Sequence, residues 1–269
     1  MDVKAYLERI KYRGSVALTA ATLRDLQVAH LLTVPFENLS IHAHEPIVLS
    51  DDALFAKIVK RRRGGFCYEC NGLFAALLRA LGFEISMLSA EVAHPDGGYS
   101  QPFDHMTLLV DLQQRWLVDV GFGDSFLEPL LLDDPGEQIQ GNRAYRIVRD
   151  GDYFIPSRRD DGDGRRVDGD GPRVDGGWRP QYRFTLHPYE YEDYAAMCAY
   201  HQTSPQSHFT QGRICSRATE DGGRISLSEM RLITTSENGE RQESVLESDA
   251  EYAAALREHF GIEMESGGK

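Results

Sequence analysis

The sequence predicts an α+β protein, chiefly from a change of hydrophobic period at Gly82. Upstream, apolar residues recur at i, i+3, i+4 spacing, as in Cys70, Leu73, Phe74, Leu77, Leu78 and Leu81, which is the signature of an amphipathic helix. Downstream, runs such as Phe83-Glu84-Ile85-Ser86-Met87-Leu88 read as strands separated by polar turns. They indicate an antiparallel sheet, closed or strongly curved into a barrel. The 269 residues are 41% hydrophobic and 10% aromatic, enough for a sizeable core.

Residues 4–10 form a short helix, ended by the turn Tyr12-Arg13-Gly14. A second helix covers 21–32, with Leu23, Leu26, His30 and Leu31 in phase and Thr22 as its N-cap. Pro35, in Val34-Pro35-Phe36-Glu37-Asn38-Leu39, breaks it, because the residue before a proline is disfavoured in the helical region. A third helix covers 51–60, capped by Ser50 or Asp51. The fourth follows Gly64-Gly65, where the backbone turns, and ends at Gly82. Strands are expected at 83–92, 105–110, 116–120, 144–148, 153–155 and 181–186. Residues 158–177 contain Arg-Val-Asp-Gly twice and little that could enter a core, so they read as a solvated insertion at a hairpin tip. A helix over 190–200 ends at Thr203-Ser204-Pro205, and strands return over 207–233, turning at Glu220-Asp221-Gly222-Gly223. A last helix covers 248–260, with Ser248 as N-cap and Gly261 as stop.

The net charge of −13 argues against nucleic acid or an anionic membrane surface as a partner, since phosphate contacts need clustered Lys and Arg. Four cysteines in so long a chain do not make a disulfide framework, which points to a reducing compartment. The N-terminus has no apolar core of signal-peptide length and no stretch approaches a membrane span. A soluble cytoplasmic protein is expected.

Cys67 falls in the first turn of the fourth helix, where free backbone N–H groups and the helix dipole favour a thiolate. Taken alone, a buried structural cysteine is the plainer reading. A nucleophile also needs a base, and His105 is the sharpest candidate. A hairpin centred on Leu112 pairs positions summing to 224 and sets His105 directly opposite Asp119, on one face of the sheet. An odd-length loop keeps them on that face, whereas a four-residue loop would leave them on opposite faces unless a bulge restored the register. Asp119 is a lone carboxylate in the apolar run Trp116-Leu117-Val118-Asp119-Val120-Gly121-Phe122 and needs a partner. A structural His–Asp pair satisfies that need equally well. Cysteine, histidine and aspartate together match an activated thiol, in which the imidazole takes the thiol proton and the carboxylate supports the imidazolium. Spacing alone does not bring Cys67 to His105.

Several segments resemble the arylamine N-acetyltransferase family. Arg63-Gly64-Gly65-Phe66-Cys67-Tyr68-Glu69-Cys70-Asn71-Gly72 fits its Arg-Gly-Gly-x-Cys-x-Glu-x-Asn signature. Val34-Pro35-Phe36-Glu37-Asn38-Leu39, His105 with its strand, and Val118-Asp119-Val120-Gly121-Phe122-Gly123 follow in the family's order, as do Gln202-Thr203-Ser204-Pro205, Ser207-His208-Phe209-Thr210 and Arg213-Ile214-Cys215-Ser216. The resemblance runs from about Tyr6 to Leu232. It implies three parts with a cysteine-protease-like core. Residues 1–83 would be a helical bundle carrying the nucleophile, and 84–189 a β-barrel carrying His and Asp with the insertion 158–177. Residues 190–269 would be an interdomain helix and an α/β lid.

The resemblance further implies a catalytic triad of Cys67, His105 and Asp119, acetyl-CoA as acyl donor, an arylamine, arylhydrazine or related amine as acceptor, and no metal. A backbone N–H at Cys67 would serve the oxyanion. Phe36, Asp104 and Phe122 would border the acceptor, Tyr200 and Gln206 would lie near CoA, and Gly121 and Gly123 would shape the turn after the strand. Cys70 departs from the pattern by making Cys-x-x-Cys with Cys67, either as a redox partner or, on the core face, as plain packing. The insertion is longer than the family norm. The alternatives are a papain-like or transglutaminase-like acyl hydrolase, and a thiol redox or zinc protein using Cys67-x-x-Cys70. Cys198 and Cys215 do not supply a second zinc-ligand pair.

Overall fold

In a computed structural model, which describes residues 1–160 and 177–264, each early helix begins at a side chain that answers a free amide. Asp2 caps α1 (Val3–Arg9) by accepting from the Ala5 N–H. Thr19, not the expected Thr22, caps α2 (Ala20–Thr33). Thr22 is already inside the first turn, buried, and its N–H donates to the Thr19 hydroxyl. After Pro35 come a two-residue strand β1 (Phe36–Glu37) and a single turn α3 (Leu39–His42). Ser50 caps α4 (Asp51–Phe55), which continues as a wider π turn over Ala56–Lys60. Next is α5 (Cys67–Leu81), ended by Gly82 at φ +98°, a left-handed position that favours glycine.

The β half matches the expected barrel. Strands β2 (Glu84–Val92), β3 (His105–Asp111), β4 (Arg115–Val118), β5 (Leu130–Leu131), β6 (Gln138–Gln140), β7 (Arg143–Asp150), β8 (Tyr153–Asp160), β9 (Arg179–Pro180) and β10 (Tyr182–Tyr189) form one antiparallel sheet. Its order is β5-β4-β3-β2-β10-β8-β7-β6, with β9 on β8. Side-chain amides stitch its ends together. Gln138 accepts from the Leu131 N–H at 2.7 Å and donates to the Leu131 carbonyl at 2.9 Å, and Gln140 binds the Leu127 and Glu128 backbone in the same way. Edge groups that would otherwise be open are thereby satisfied. The insertion expected at 158–177 begins as the end of β8, and its remainder, 161–176, lies outside the described residues.

The chain then runs through α6 (Tyr191–Thr203) and α7 (His208–Gln211), a turn of helix where a strand is expected, capped by Ser207. Strands β11 (Ile214–Ala218), β12 (Arg224–Ser228), β13 (Arg231–Thr235) and β14 (Arg241–Val245) follow. The last helix, α8 (Asp249–Ala255), is capped by Ser248 and widens into a π turn, Leu256–Phe260, before Gly261. The second sheet runs β1-β11-β12-β13-β14, so a strand from the first helical stretch forms the edge of the C-terminal sheet. Three apolar clusters result among the described residues. One surrounds α5, one fills the barrel around Leu88, Leu117, Tyr145 and Phe184, and one lies between the second sheet and α8. No described helix is long and apolar enough to cross a membrane.

A buried charge network fixes the start of α5. Lys57 Nζ lies 2.8 Å from Glu69 and 3.8 Å from Glu37, and Arg63 pairs with Glu37 at 2.9 Å. Burial pushes the Glu37 carboxyl up, but Lys57 and Arg63 override this and hold it below the usual carboxylate range. Replacing Lys57 with Met leaves the buried Glu69 without a cation and Glu37 with Arg63 alone. The expected loss is about 3–5 kcal/mol, read as a lower midpoint in urea denaturation.

Candidate active site

Gly64 and Gly65 approach α5 pressed against the segment before β1. The Glu37 N–H donates to the Gly65 carbonyl at 3.0 Å, and a Cβ on Gly64 would lie 1.9 Å from the Pro35 carbonyl oxygen. Neither glycine has a positive φ, so the absence of a side chain, rather than the turn expected from the pair, is what this place requires. Glu69 accepts from the Phe66 N–H at 3.1 Å and fixes the first turn.

Cys67 is the first residue of α5 and is 3% exposed. Its sulfur accepts from the Met106 N–H, next to His105. The loop after β4 lies on it from the other side, since a Cβ on Gly121 would come within 2.8 Å of the Cys67 Cα. Burial pushes the Cys67 thiol well above its ordinary value. The Met106 N–H opposes this, and Asp104, Cys198 and Asp119 add to it. The thiolate expected from the helix terminus alone is therefore outweighed, and a base must take the proton.

His105 and Asp119 meet, but not in the expected register. The β3–β4 pairs run from Leu108↔Val118 to Asp111↔Arg115, which centres the loop on Gln113 instead of Leu112. Asp119 lies just past the end of β4 and reaches His105 diagonally, with Nε2 to Oδ2 at 2.7 Å. The loop is still odd in length, so both side chains keep the same face. Asp119 Oδ1 accepts from Asn71 Nδ2 and from the Gly121 N–H, both at 2.9 Å, and Oδ2 accepts from the Tyr182 hydroxyl at 2.9 Å. Burial raises this carboxyl, and His105, Asn71 and Gly121 outweigh burial and hold it below the usual carboxylate range. With Nε2 directed at Asp119, Nδ1 is the ring nitrogen left to accept a proton.

Of the groups around Asp119, Gln27 and Tyr182 carry no sequence signal, and Asn71 stands in the family signature without its role being marked. Asn71 donates to the Met106 carbonyl at 2.6 Å and accepts from the Val120 N–H at 2.8 Å, while Gln27 receives the Asp119 N–H at 3.3 Å. Tyr182 arrives from β10, 63 positions away from Asp119.

The other expected site residues are spread around this centre. Phe122 meets the His105 ring edge-on, with centroids 5.1 Å apart. Phe36 packs near Phe209 at 6.1 Å. The Asp104 carboxylate lies 3.1 Å from His201 Nε2, and Tyr200 is half-buried beside His201. Gln206 is exposed, its amide oxygen on the Ser204 hydroxyl. Cys70 donates its S–H to the Gly65 carbonyl at 3.1 Å from the core face of α5, which accounts for it as packing. Among the described residues, no three His, Cys, Asp or Glu side chains are grouped to hold a metal ion.

The first residue of α5 thus sets its sulfur beside the Met106 amide, next to the His105–Asp119 pair on the barrel. The N-acetyltransferase family model matches residues 19–268, and the chain belongs to that family. An arylamine N-acetyltransferase of Escherichia coli is 32% identical over 260 residues, covering 96% of this chain and 87% of the relative. The structure of the arylamine N-acetyltransferase of M. tuberculosis superposes with a TM-score of 0.86 at 31% identity, covering 100% of this chain and 96% of that one. The Mycobacterium marinum arylamine N-acetyltransferase, solved in complex with CoA, gives a TM-score of 0.83 at 31% identity, over 97% and 93%.

Asn71→Ala removes three buried hydrogen bonds at once. It is expected to cost about 2–4 kcal/mol in chemical denaturation at neutral pH. The lowered Asp119 pKa contributes stability that is present above the unfolded value and lost as pH falls through the folded one. Without Asn71 the folded value rises toward the unfolded one, so the variant has less of this stability to lose, and its deficit relative to wild type, full at neutral pH, should narrow as pH falls through the carboxylate range.

Proposed function

We propose that the protein moves an acetyl group from acetyl-CoA to an aromatic amine or hydrazine in two steps, through an acetyl-cysteine at Cys67. The 2.7 Å contact between His105 Nε2 and Asp119, beside a cysteine sulfur lodged at the Met106 amide, carries this reading. In the first step His105 Nδ1 takes the Cys67 proton, and the thiolate attacks the thioester carbonyl. The tetrahedral oxyanion forms near the Cys67 N–H, which a first-turn residue leaves without an intrahelical acceptor. Collapse breaks the C–S bond to CoA, and the imidazolium returns the proton to the departing thiolate. In the second step the amine attacks the acetyl-cysteine, His105 takes its proton, and the Cys67 thiol is restored.

Phe122, edge-on to His105, fits the acceptor side of the centre, with Phe36 and Asp104 at its border. Tyr200 and Gln206, at the end of α6 and just beyond it, are assigned to CoA. The division into bundle (1–83), barrel (84–189) and lid (190–269) is retained as a functional one, the lid sharing β1 with the bundle. Four unpaired cysteines, all buried, fit a reducing cytoplasm.

Intact-protein mass after mixing with acetyl-CoA should show one added acetyl group that vanishes when an arylamine is supplied. Cys67→Ala should show none. An adduct lost in water at the same rate without amine would indicate a hydrolase, and no adduct at any pH would overturn the proposal. Asp119→Asn should lower kcat/KM by about 10²–10⁴. Cys70→Ala should retain acetylation and turnover, whereas their loss would restore the redox reading.

A further inference from the structure

A cavity of about 240 Å³ lies away from Cys67, His105 and Asp119, shares no lining residue with them, and is bordered by Arg9, Lys11, Arg62, Arg217 and Arg257. It is smaller than the roughly 300–1,000 Å³ that takes a drug-sized ligand. Glu258 is the one carboxylate in its lining. In a chain of net charge −13, such a gathering of cations runs against the overall field.

Two of the guanidiniums are built into the fold without a counter-ion. Arg9 is 4% exposed, and every one of its contacts is a neutral carbonyl: Ile58 at 2.9 Å, Thr33 at 3.0 Å, Arg62 at 3.3 Å and Arg63 at 3.1 Å. Arg217 donates to the Leu32 and His259 carbonyls, both at 2.8 Å, and its buried Nε–H has no partner among the described residues. Carbonyl dipoles orient a guanidinium but do not neutralise it, and none of the five cations has a carboxylate within ion-pair distance among the described residues. Burial, then Arg62 and Arg217 among the neighbours, lowers the Arg9 pKa to about 10.

We propose that this cavity is a binding site for a dianionic phosphate group, free or as a phosphomonoester. Arg9 and Arg217 supply fixed positive charge at the wall, and Lys11, Arg62 and Arg257 close over the anion from the rim, giving charge-assisted contacts on several sides. Glu258 sits at the same rim and selects for an anion strong enough to be held by five cations against one carboxylate. Through Arg9 the site touches the carbonyls of Arg62 and Arg63, the residues that lead into Gly64-Gly65 and Cys67. Bound phosphate therefore braces the approach to α5.

The test is thermal unfolding and titration calorimetry with sodium phosphate, balanced against sodium chloride at constant ionic strength. Wild type should show a saturable rise in Tm. The triple variant Lys11→Gln, Arg62→Gln, Arg257→Gln, altered only at exposed positions, should keep its Tm in chloride and bind phosphate at least about tenfold more weakly. Arg257→Gln alone gives the same comparison, with a smaller loss, should the triple variant fold poorly. Phenyl phosphate is the second arm. Tighter binding than inorganic phosphate assigns the site to a phosphomonoester, and weaker binding assigns it to the free ion. A response to phosphate no greater than to chloride, or an equal response in wild type and variants, overturns the proposal.

Discussion

The Asp119 carboxylate has no exposed surface, and a charge so placed costs several kcal/mol unless donors replace the lost water. Those donors come from four places: Asn71 on α5, His105 on β3, Tyr182 on β10 and the Gly121 amide of its own loop. Satisfying the charge fixes where the bundle sits on the barrel. Asn71 joins the two most directly, because the same amide also holds the Met106 carbonyl and the Val120 N–H. Cys67 lies four residues before Asn71, one turn away on the same face of the helix, so the placement that solvates Asp119 also delivers the sulfur to the strand that carries His105.

A second buried network sets the other end of that geometry. Glu69 holds the Phe66 N–H and Lys57, and Lys57 also faces Glu37, which is paired with Arg63. Glu37 further accepts from the Leu39 N–H at 2.6 Å, and its own strand pairs with β11. The short segment 34–39 is thus tied to the cysteine loop and to the C-terminal sheet through one carboxylate and two strand residues. That explains physically why so few residues could be so distinctive in the sequence while carrying no periodic pattern. Removing any single charge strands the others, which makes the network rigid rather than strongly stabilising.

What the sequence made legible follows from which forces are local. Helix α5, its glycine stop and the Ser50 and Ser248 caps depend on spacing and on neighbours within four residues, and all were readable. The shared face of His105 and Asp119 was readable because strand parity survives any odd loop. The register was not, because turn geometry moved it by two. β1 has too few residues to show a period, and β14 is exposed along its whole length, so neither could announce itself. What spacing left out at Cys67 is burial, which pushes the thiol up against the effect of the helix terminus. A helix terminus contributes typically 0.3–1 kcal/mol to an exposed anion, and near-complete burial of a thiolate costs several times that. Asn71, Gln27 and Tyr182 act across 48, 92 and 63 positions, beyond what spacing can reach.

The same reasoning separates the two kinds of buried charge in this molecule. Asp119 and Glu37 are met by cations or by donors on every side, and their carboxyls are held low. Arg9 is as deeply buried, yet it faces only carbonyls and other cations, and its affinity for its proton falls. An arginine suits such a place better than a lysine, since its rigid fork can bind four carbonyls from three segments at once while remaining charged. The four carbonyls explain how Arg9 is held, and leave its charge unanswered. That charge is held on the Arg62 and Arg63 carbonyls, which lead directly into Gly64-Gly65 and Cys67, so whatever anion answers it acts on the loop that positions the nucleophile.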